Sequence, residues 1–135
     1  MADDKVEFEL VSPERLLLSE PVDMVVVPGS EGDFGVLPRH APLISTVRPG
    51  VIAVHDGGQV TERIFVAGGF AEVTPARCTV LAEQALPVAE IDRSAAEQQL
   101  RDAREDLDDA TTDEARNTAA RQIAVAEAML QAMAG

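Results

Sequence analysis

The sequence predicts an α+β protein in which an N-terminal antiparallel β-sandwich or barrel is followed by a C-terminal antiparallel hairpin of two helices. All eight prolines and eight of the nine glycines precede Ile91, whereas residues 92–135 contain twelve alanines. The first region alternates short β-rich runs with turn residues, and the second carries apolar residues at helical spacing. We therefore expect a sandwich domain over residues 1–90 and a helical hairpin over residues 91–135.

The first strands are indicated by simple alternation of apolar and polar residues. Val6, Phe8 and Leu10 alternate with charged residues, which is typical of a half-buried strand, and residues 12–14 (SPE) form a turn after it. Residues 22–27 continue the pattern, with Val22, Met24 and Val26 alternating with Asp23, Val25 and Val27.

Two β-hairpins are predicted further along the chain. Residues 55–58 (HDGG) and residues 74–77 (TPAR) each lie between β-rich runs. Such turn residues between two runs favour antiparallel pairing of their neighbours. Strands joined by short turns, with no helix between them, indicate a sandwich or barrel.

Residues 27–43 (VPGSEGDFGVLPRHAPL) form the most unusual segment of the first region, with three glycines and three prolines. Glycine permits positive φ and close backbone approach, whereas proline withholds an N–H donor. The segment therefore predicts neither a regular helix nor a long central strand, but a bent surface loop that carries Glu31 and Asp33. Surface loops of this kind often carry function.

The second region predicts two amphipathic helices. Ser94 and Glu97 match a capping box supported by Asp92, and Thr111 and Glu114 match a second one. The apolar stripes are Ala96, Leu100, Ala103, Leu107 and Ala110 in the first helix, and Ala119, Ile123, Ala126, Leu130 and Met133 in the second. A short turn between such helices favours an antiparallel hairpin.

The charge of the chain excludes several classes of function. The formal net charge is −13, with 11 basic and 24 acidic residues. This charge argues against nucleic-acid binding and against anionic membrane surfaces. No apolar run is long enough to span a bilayer, and the acidic N-terminus does not resemble a signal peptide. The single cysteine, Cys78, excludes an internal disulfide and suits a reducing cytoplasm.

No catalytic or metal-binding constellation is evident in the sequence. His40 and His55 have no partner at metal-ligand or triad spacing; His55 is expected to be a solvated turn residue and Cys78 a buried thiol. Residues 29–35 (GSEGDFG) lack the Lys-Ser/Thr ending of a P-loop and are acidic. We therefore predict that the chain has no catalytic residue, no metal site and no enzymatic activity of its own.

Three segments resemble the epsilon subunit family of bacterial F-type ATP synthases: residues 8–15 (FELVSPER), residues 27–50 with their G-S-E-G-D-F-G-V-L-P-x-H-A-P-L run, and residues 65–82 (FVAGGFAEV followed by TVLA). The resemblance implies a non-catalytic central-stalk subunit that couples proton-driven rotation of the c ring to ATP synthesis. Its sandwich would contact the gamma subunit and the c-subunit ring, peripherally at the cytoplasmic face of the bacterial inner membrane.

The resemblance also implies roles for individual residues. Ser30, Glu31, Gly32 and Asp33 match the segment that meets the polar loops of the c ring; the alternative is that both acids are solvated turn residues. Ser12 and His40, expected on neighbouring strands, match positions near the gamma contact. For His40 the alternative is a histidine whose hydrogen bonds are satisfied inside the sandwich.

A regulatory role for the helical tail is the alternative function. In several relatives the hairpin inhibits ATP hydrolysis, and in some it binds ATP through an Ile/Leu-Asp-x-x-Arg-Ala motif. Here Ala95 stands at the arginine position, and Arg93 is rotated away on the helix, so ATP binding is not expected; Asp92 is preferred as a helix N-cap. The tail could reach the alpha and beta subunits through its arginines, among them Arg93, Arg116 and Arg121. Residues 92–135 carry ten acids against five arginines, so we expect weak or no inhibition.

Overall fold

The computed structural model describes residues 4–135, which divide into two compact units between Pro87 and Val88. The first unit is a curled sheet and the second is helical. The division lies slightly before the boundary expected after residue 90, because a short 3-10 helix, Val88–Glu90, belongs to the second unit.

The first unit consists of ten strands within the described residues. They are β1 (Val6–Val11), β2 (Leu16–Val22), β3 (Met24–Gly29), β4 (Gly32–Val36), β5 (Leu43–Val47), β6 (Gly50–Asp56), β7 (Gln59–Val66), β8 (Gly69–Val73), β9 (Arg77–Ala82) and β10 (Ala85–Pro87). Their order in the sheet is β10-β7-β6-β3-β5-β8-β9-β1-β2, with β4 paired to β3 off this path. The predicted α+β sandwich is confirmed.

One pairing departs from the predicted antiparallel arrangement. β1 and β9 run parallel, with Phe8 opposite Cys78 and Leu10 opposite Val80. Turn residues indicate only how strands adjacent in sequence pair, and these two strands are about seventy residues apart. The parallel pair joins β1 and β2 to the other strands of the sheet, and apolar side chains from all of these strands form one core.

The core consists of inward-facing side chains that alternate along the strands. Val6, Phe8 and Leu10 of β1 are buried as predicted. The rest of the cluster includes Val22, Val25, Val27, Val36, Val47, Ile52, Val54, Ile64, Val66, Ala71, Val73, Cys78, Val80 and Ala82. β-branched residues dominate this core, consistent with their preference for pleated surfaces.

The alternation predicted across residues 22–27 is wrong by one residue. Asp23 forms a bend between β2 and β3, and after it Val25 and Val27 are buried while Met24 and Val26 are only half-buried. The bend is held because the Gly57 N–H donates to Asp23 Oδ2 at 2.8 Å. A one-residue interruption exchanges the two faces of a strand, because side chains alternate with a period of two.

Both predicted β-hairpins are present. β6 and β7 are joined through Gly57 and Gly58, whose φ angles are +64° and +79°. Two successive positive φ angles are what a twisted two-residue hairpin turn requires. β8 and β9 are joined at the second predicted turn, where the Thr74 N–H donates to the Arg77 carbonyl at 2.8 Å.

The second unit contains two helices, α1 (Arg93–Asp109) and α2 (Asp113–Ala134). The Asp92 carboxylate accepts the Ala95 N–H at 3.1 Å, so Asp92, and not Ser94, is the N-cap of α1. Thr112, and not Thr111, caps α2 by accepting the Ala115 N–H at 3.1 Å. Aspartate and threonine are both strong capping residues, and local sequence does not decide between neighbouring candidates.

Small residues form the buried surface of the helical unit. Its buried helical residues are Ala96, Ala103, Ala119, Ala126, Met129 and Ala132. The predicted leucines and isoleucine of the stripes are only half-buried. Arg104 and Glu127 form an ion pair at 3.6 Å between the helices. Within the described residues, neither helix is long and apolar enough to cross a membrane.

Candidate interaction surfaces of the sandwich

Residues 27–36 of the predicted loop form a tight hairpin between β3 and β4, whereas residues 37–42 connect β4 to β5 without regular secondary structure. Gly29 and Gly32 are paired, which leaves Ser30 and Glu31 as an exposed two-residue turn. We call residues 29–33 the hairpin tip. A Cβ atom on Gly29 would lie 2.7 Å from the Gly32 carbonyl oxygen and 3.0 Å from the Phe34 ring. Only glycine allows this close approach of the two strands.

Backbone hydrogen bonds attach the hairpin tip to the neighbouring strand. The Ser30 N–H donates to the Thr46 carbonyl, and the Arg48 N–H donates to the Pro28 carbonyl, both at 2.9 Å. Pro28 lies in β3 and has no N–H to donate. The hydrogen bond at this position needs only its carbonyl oxygen, which accepts from Arg48. The tip is therefore connected to residues 46–48 as well as to β4.

Arg48 provides a side-chain connection to the same tip. Its guanidinium donates to the Gly29 carbonyl and to Asp33 Oδ1, the latter at 2.6 Å. The Arg48 and Asp33 side chains are 43% and 60% exposed. Glu31 is exposed and makes no hydrogen bond or ion pair with the part of the chain that the structure describes. The two predicted acids are therefore in different states, since Asp33 is paired and Glu31 is not.

The outer face of strands β1, β2, β8 and β9 carries a line of four apolar side chains, of which Val11 is half-buried and the other three are exposed. Phe70 lies opposite Leu81, Leu81 lies beside Val11, and Val11 pairs with Leu16. We call these four residues the apolar row. Leu16, Phe70 and Leu81 are 55%, 57% and 53% exposed. Ile44 on β5 extends the same face and is 72% exposed. Contiguous exposed apolar residues typically mark an interaction surface.

Polar residues border the apolar row on the same outer face. Glu9 accepts a hydrogen bond from Thr79 Oγ1 at 3.2 Å and pairs with Arg77 at 3.0 Å. Glu72 lies between Ile44 and Thr79 in the register. An apolar centre with a polar border is the usual anatomy of a protein–protein interface.

Two charge clusters lie away from these surfaces. Lys5 pairs with Asp23 and Asp56, each at 2.7 Å. Hydrogen bonding to these carboxylates raises the pKa of the Lys5 ammonium, and the bond from Lys5 lowers the pKa of Asp23. The cluster joins the start of β1 to the β2–β3 bend and to the end of β6, so it stabilises the fold locally.

Glu20 and Glu62 form the second cluster, on the inner face of the sheet. Glu20 lies opposite Phe8, and Glu62 lies opposite Val54, both of which are core residues. A hydrogen bond with Glu20, together with burial and the charge of Glu20, raises the pKa of Glu62 to about 7. Inward-facing charges near sheet edges disfavour edge-to-edge association.

The predictions for Cys78 and His55 have different outcomes. Cys78 is fully buried, as expected, and burial raises the pKa of its thiol to about 12. The expectation that His55 is a solvated turn residue is wrong, because His55 lies in β6, half-buried and paired with Met24. Within residues 4–135, no group of three or more His, Cys, Asp or Glu side chains could hold a metal ion.

Comparison with known proteins agrees with this architecture. Residues 5–88 match the beta-sandwich domain of the ATP synthase delta/epsilon chain, and residues 92–135 match the C-terminal domain of the ATP synthase epsilon chain. The ATP synthase epsilon chain of Rhodospirillum rubrum is 58% identical over 132 residues, with 98% of each chain covered. That of Paramagnetospirillum magneticum is 59% identical over 131 residues, with 97% of this chain and 98% of the relative covered.

The chain belongs to the ATP synthase epsilon chain family. It is therefore a subunit of ATP synthase and not the catalytic one, as the resemblance implied. A solved chain of the Euglena gracilis mitochondrial ATP synthase has the same fold, with a TM-score of 0.82, 24% identity and coverage of 96% of this chain and 82% of that one. A chain from the Tetrahymena thermophila mitochondrial enzyme gives a TM-score of 0.69 at 13% identity, with 96% of each chain covered.

Ser12 and His40 of this epsilon chain do not lie together on neighbouring strands. Ser12 follows β1, and its hydroxyl bonds to Glu14 Oε2 and to the Arg15 carbonyl, both at 3.3 Å. His40 lies between β4 and β5, where its Nδ1 is 2.6 Å from the Ala41 carbonyl oxygen. The Arg39 N–H donates to the Pro75 carbonyl, at the opposite end of β9 from Ser12. Ser12 and the segment that carries His40 therefore lie near opposite ends of β9.

The predicted tail residues are exposed on the helices. Asp92 is the N-cap of α1, and Arg93 is the first residue of that helix. Arg116 pairs with Asp113 at 2.6 Å, one turn earlier on α2, and Arg121 is exposed. The structure thus assigns Asp92 a capping contact and Arg116 a local ion pair.

Sequence reasoning missed Arg48 and the apolar row. No local pattern connects Arg48 to an acid fifteen residues earlier, because the pair forms through strand pairing. A signal for the apolar row was present: Val80-Leu81-Ala82 is a continuous apolar run, so both faces of β9 are apolar at its end although Leu81 is exposed. Continuous apolar runs are typical of strands that are covered on both faces.

Proposed function

We propose that this epsilon chain works as a rotor-stalk subunit that couples rotation of the c ring to ATP synthesis by contacting both the gamma subunit and the ring. The apolar row is the observation that carries the proposal. A surface with three side chains more than half exposed is costly to leave in water, and burial against a partner stabilises it by roughly 25 cal/mol per Å². Membership of the epsilon chain family supports ATP synthase subunits as the partners.

The gamma subunit is the partner that we assign to the outer face. The apolar row would supply the centre of this contact, and Glu9, Glu72 and Thr79 its polar border. Ser12 lies beside Val11 at one margin, and His40 lies beyond the other. Polar groups at the margin of an interface select the partner and its orientation more than they add affinity.

The c ring is the partner that we assign to the hairpin tip. Ser30, Glu31, Gly32 and Asp33 project from the end of β3 and β4, and the tip is braced by the hydrogen bonds to residues 46–48. A braced tip transmits force between a ring and a stalk better than a flexible loop does. An acidic tip also complements basic and amide groups on polar ring loops. Such a subunit would be peripheral, on the cytoplasmic side of the inner membrane.

A substitution of Phe70 tests the proposal. Phe70→Glu places a charge at the centre of the apolar row, and we expect it to weaken binding to gamma by about thirtyfold, as for an interface hot spot. Val60→Glu is the matched control, because Val60 is 47% exposed but lies at the β6–β7 turn. Binding to purified gamma and proton-driven ATP synthesis in inverted vesicles are the measurements. Wild-type affinity of Phe70→Glu for gamma would contradict the assignment.

We do not assign ATP to the tail in this proposal. Asp92 is engaged in capping α1, and Ala95 contributes only its backbone N–H to that contact. A phosphate group bound there would lack the planar guanidinium that an arginine at position 95 would supply. Calorimetry of the full chain with ATP should therefore detect no binding. The same measurement on Ala95→Arg, which supplies the missing guanidinium, should show a higher affinity for ATP.

A further inference from the structure

We infer that Glu20 and Glu62 form a proton-sharing clasp between the two ends of the curled sheet, and that the edge strand β2 is released when the shared proton is lost. We call the place where these ends meet the seam; it consists of β2 on one side and residues 59–63 of β7 on the other. The clasp is a property of the free chain, so it does not depend on the partners proposed above.

The seam is a part of the sandwich that no backbone ladder closes. β2 ends the strand order on one side, and β10 ends it on the other. β10 is only three residues long and pairs with residues 64–66, so β7 is itself an uncovered edge at Glu62. β2 lies against β6, the neighbour of β7, but within residues 4–135 no strand pairing joins β2 to β6 or β7. Closure of the seam therefore depends on side chains.

Glu20 and Glu62 point into the seam from its two sides. Glu20 lies directly opposite Phe8, and Glu62 lies directly opposite Val54. Residues directly opposite each other in an antiparallel pair share a face of the sheet, and Phe8 and Val54 are fully buried, so both carboxyl groups face inward. The two half-buried side chains form a hydrogen bond with each other. Two carboxylates have only acceptors, so this bond requires one proton between them.

The inward-facing neighbours of the pair are apolar. They are Val6, Phe8 and Leu10 of β1, Leu18 and Val22 of β2, Ile52 and Val54 of β6, and Ile64 of β7. Charged and titratable groups on the same strands lie on the other face or are paired elsewhere. Glu7, Glu9 and Arg63 alternate with inward-facing residues, His55 shares the opposite face with Met24, and Asp56 is paired with Lys5. The carboxyl groups therefore have each other, and no cation of these strands, as their polar partner.

Loss of the shared proton turns the clasp into a repulsive pair. The hydrogen bond with Glu20, together with burial and the charge of Glu20, raises the pKa of Glu62 to about 7. Below that value one carboxyl group donates to the other, whereas above it two carboxylates face each other with no donor between them. The repulsion favours separation of β2 from β6 and β7. Because β2 also carries Leu16, its release loosens one margin of the apolar row.

Amide hydrogen exchange of the full chain at about pH 6 and about pH 8 tests the clasp. After correction for the intrinsic pH dependence of exchange, protection of the Leu18 and Glu20 amides should fall about fivefold between these values, a figure reduced for solvent screening of a half-buried pair. This exchange should be insensitive to low urea, because a local opening exposes little surface. Equal protection at both pH values would overturn the inference. So would a urea dependence as steep as that of the Val80 amide in the core.

Two single variants distinguish a shared proton from one acid that titrates alone. Glu20→Gln and Glu62→Gln each supply an amide that donates to the remaining carboxylate at every pH. Each variant should therefore abolish the pH dependence and protect β2 at the higher pH at least as well as the wild type. Glu72→Gln, on the exposed outer face, is the matched control and should retain the fivefold change. A wild-type pH dependence in Glu20→Gln would show that Glu62 titrates alone and that the clasp is wrong.

Discussion

The β-sandwich and the helical hairpin of this epsilon chain bury different kinds of side chain. Large buried residues such as Phe8, Leu10 and Ile52 fill the sandwich, whereas five of the six buried helical residues of the hairpin are alanines. Burial of apolar area stabilises a fold roughly in proportion to that area. The sandwich is therefore the more strongly stabilised unit, and alanine in the hairpin permits close approach of the helices at the cost of buried area.

The largest expected effect comes from removing the aromatic ring of Phe8 from the core of the sandwich. Phe8 is fully buried, so Phe8→Ala should lower the free energy of unfolding of the sandwich by about 3–5 kcal/mol. Phe70→Ala is the matched control, because Phe70 is 57% exposed. Urea unfolding followed by far-UV circular dichroism is the measurement, since the chain has no Trp or Tyr. Equal losses in the two variants would contradict the assignment of the core.

The opposite change tests the hairpin. Ala126 is fully buried between close helices, so Ala126→Leu should overpack the interface and destabilise the helical unit by about 1–3 kcal/mol. Ala124→Leu changes the same residue type at an exposed position of the same helix and should have little effect. The helical part of the dichroism signal during thermal unfolding reports both. A more stable Ala126→Leu variant would show that the interface has unused space.

The Glu20–Glu62 pair predicts that the free energy of unfolding of the sandwich depends on pH. The pKa of Glu62 is raised in the folded state to about 7, so the folded chain holds a proton that the unfolded chain releases near its ordinary pKa. This contribution is fully present below that ordinary value and is lost as the pH rises through about 7. Because Glu62 is only half-buried, solvent screening reduces the expected loss to about 1 kcal/mol.

Urea unfolding across this pH range measures the effect. Glu62→Gln removes the titrating group and should flatten the profile, whereas Glu72→Gln, on the exposed outer face, should leave the slope as it is. A wild-type profile that rises with pH over the same window would show that Glu20 and Glu62 do not share a proton.

The smallest expected effect concerns the tail as a regulator. We expect deletion of residues 92–135 to change ATP hydrolysis by the assembled enzyme by less than about twofold, below the range typical of allosteric coupling. The acidic excess of the tail, ten acids against five arginines, opposes docking on acidic surfaces. Steady-state hydrolysis by enzyme containing the full or shortened chain is the measurement. A large rise in rate would make the hairpin an inhibitory element after all.

The two units also differ in how well sequence patterns predicted them. In the hairpin, spacing located both helices, and Asp92 caps α1 as preferred, whereas Thr112 caps α2 one residue after the predicted Thr111. In the sandwich, alternation identified the face of β1 but failed after Asp23. The bend there depends on the Gly57 N–H, thirty-four residues away, and no local pattern contains it.

The hairpin tip and the apolar row were also predicted only in part from the sequence. The hairpin tip was visible in the sequence as a cluster of glycines and acids, and the family resemblance gave it a partner. The different states of Glu31 and Asp33 were not visible, because they depend on where Arg48 lies after β3 and β5 pair. The apolar row likewise arises from two pairs of consecutive strands, β1 with β2 and β8 with β9, which are distant from each other in sequence and adjacent in the sheet.

The sequence by itself determined the two-part architecture, the family, the acidic tip and the absence of a catalytic motif. These follow from residue types and spacings within one strand, one turn or one helix, where each residue acts on its immediate neighbours. Tertiary structure alone decided the parallel β1–β9 pair, the pairing of Asp33 with Arg48 and the outer apolar row. These depend on which strands meet across the sheet, and that choice is made by the packing of the whole core.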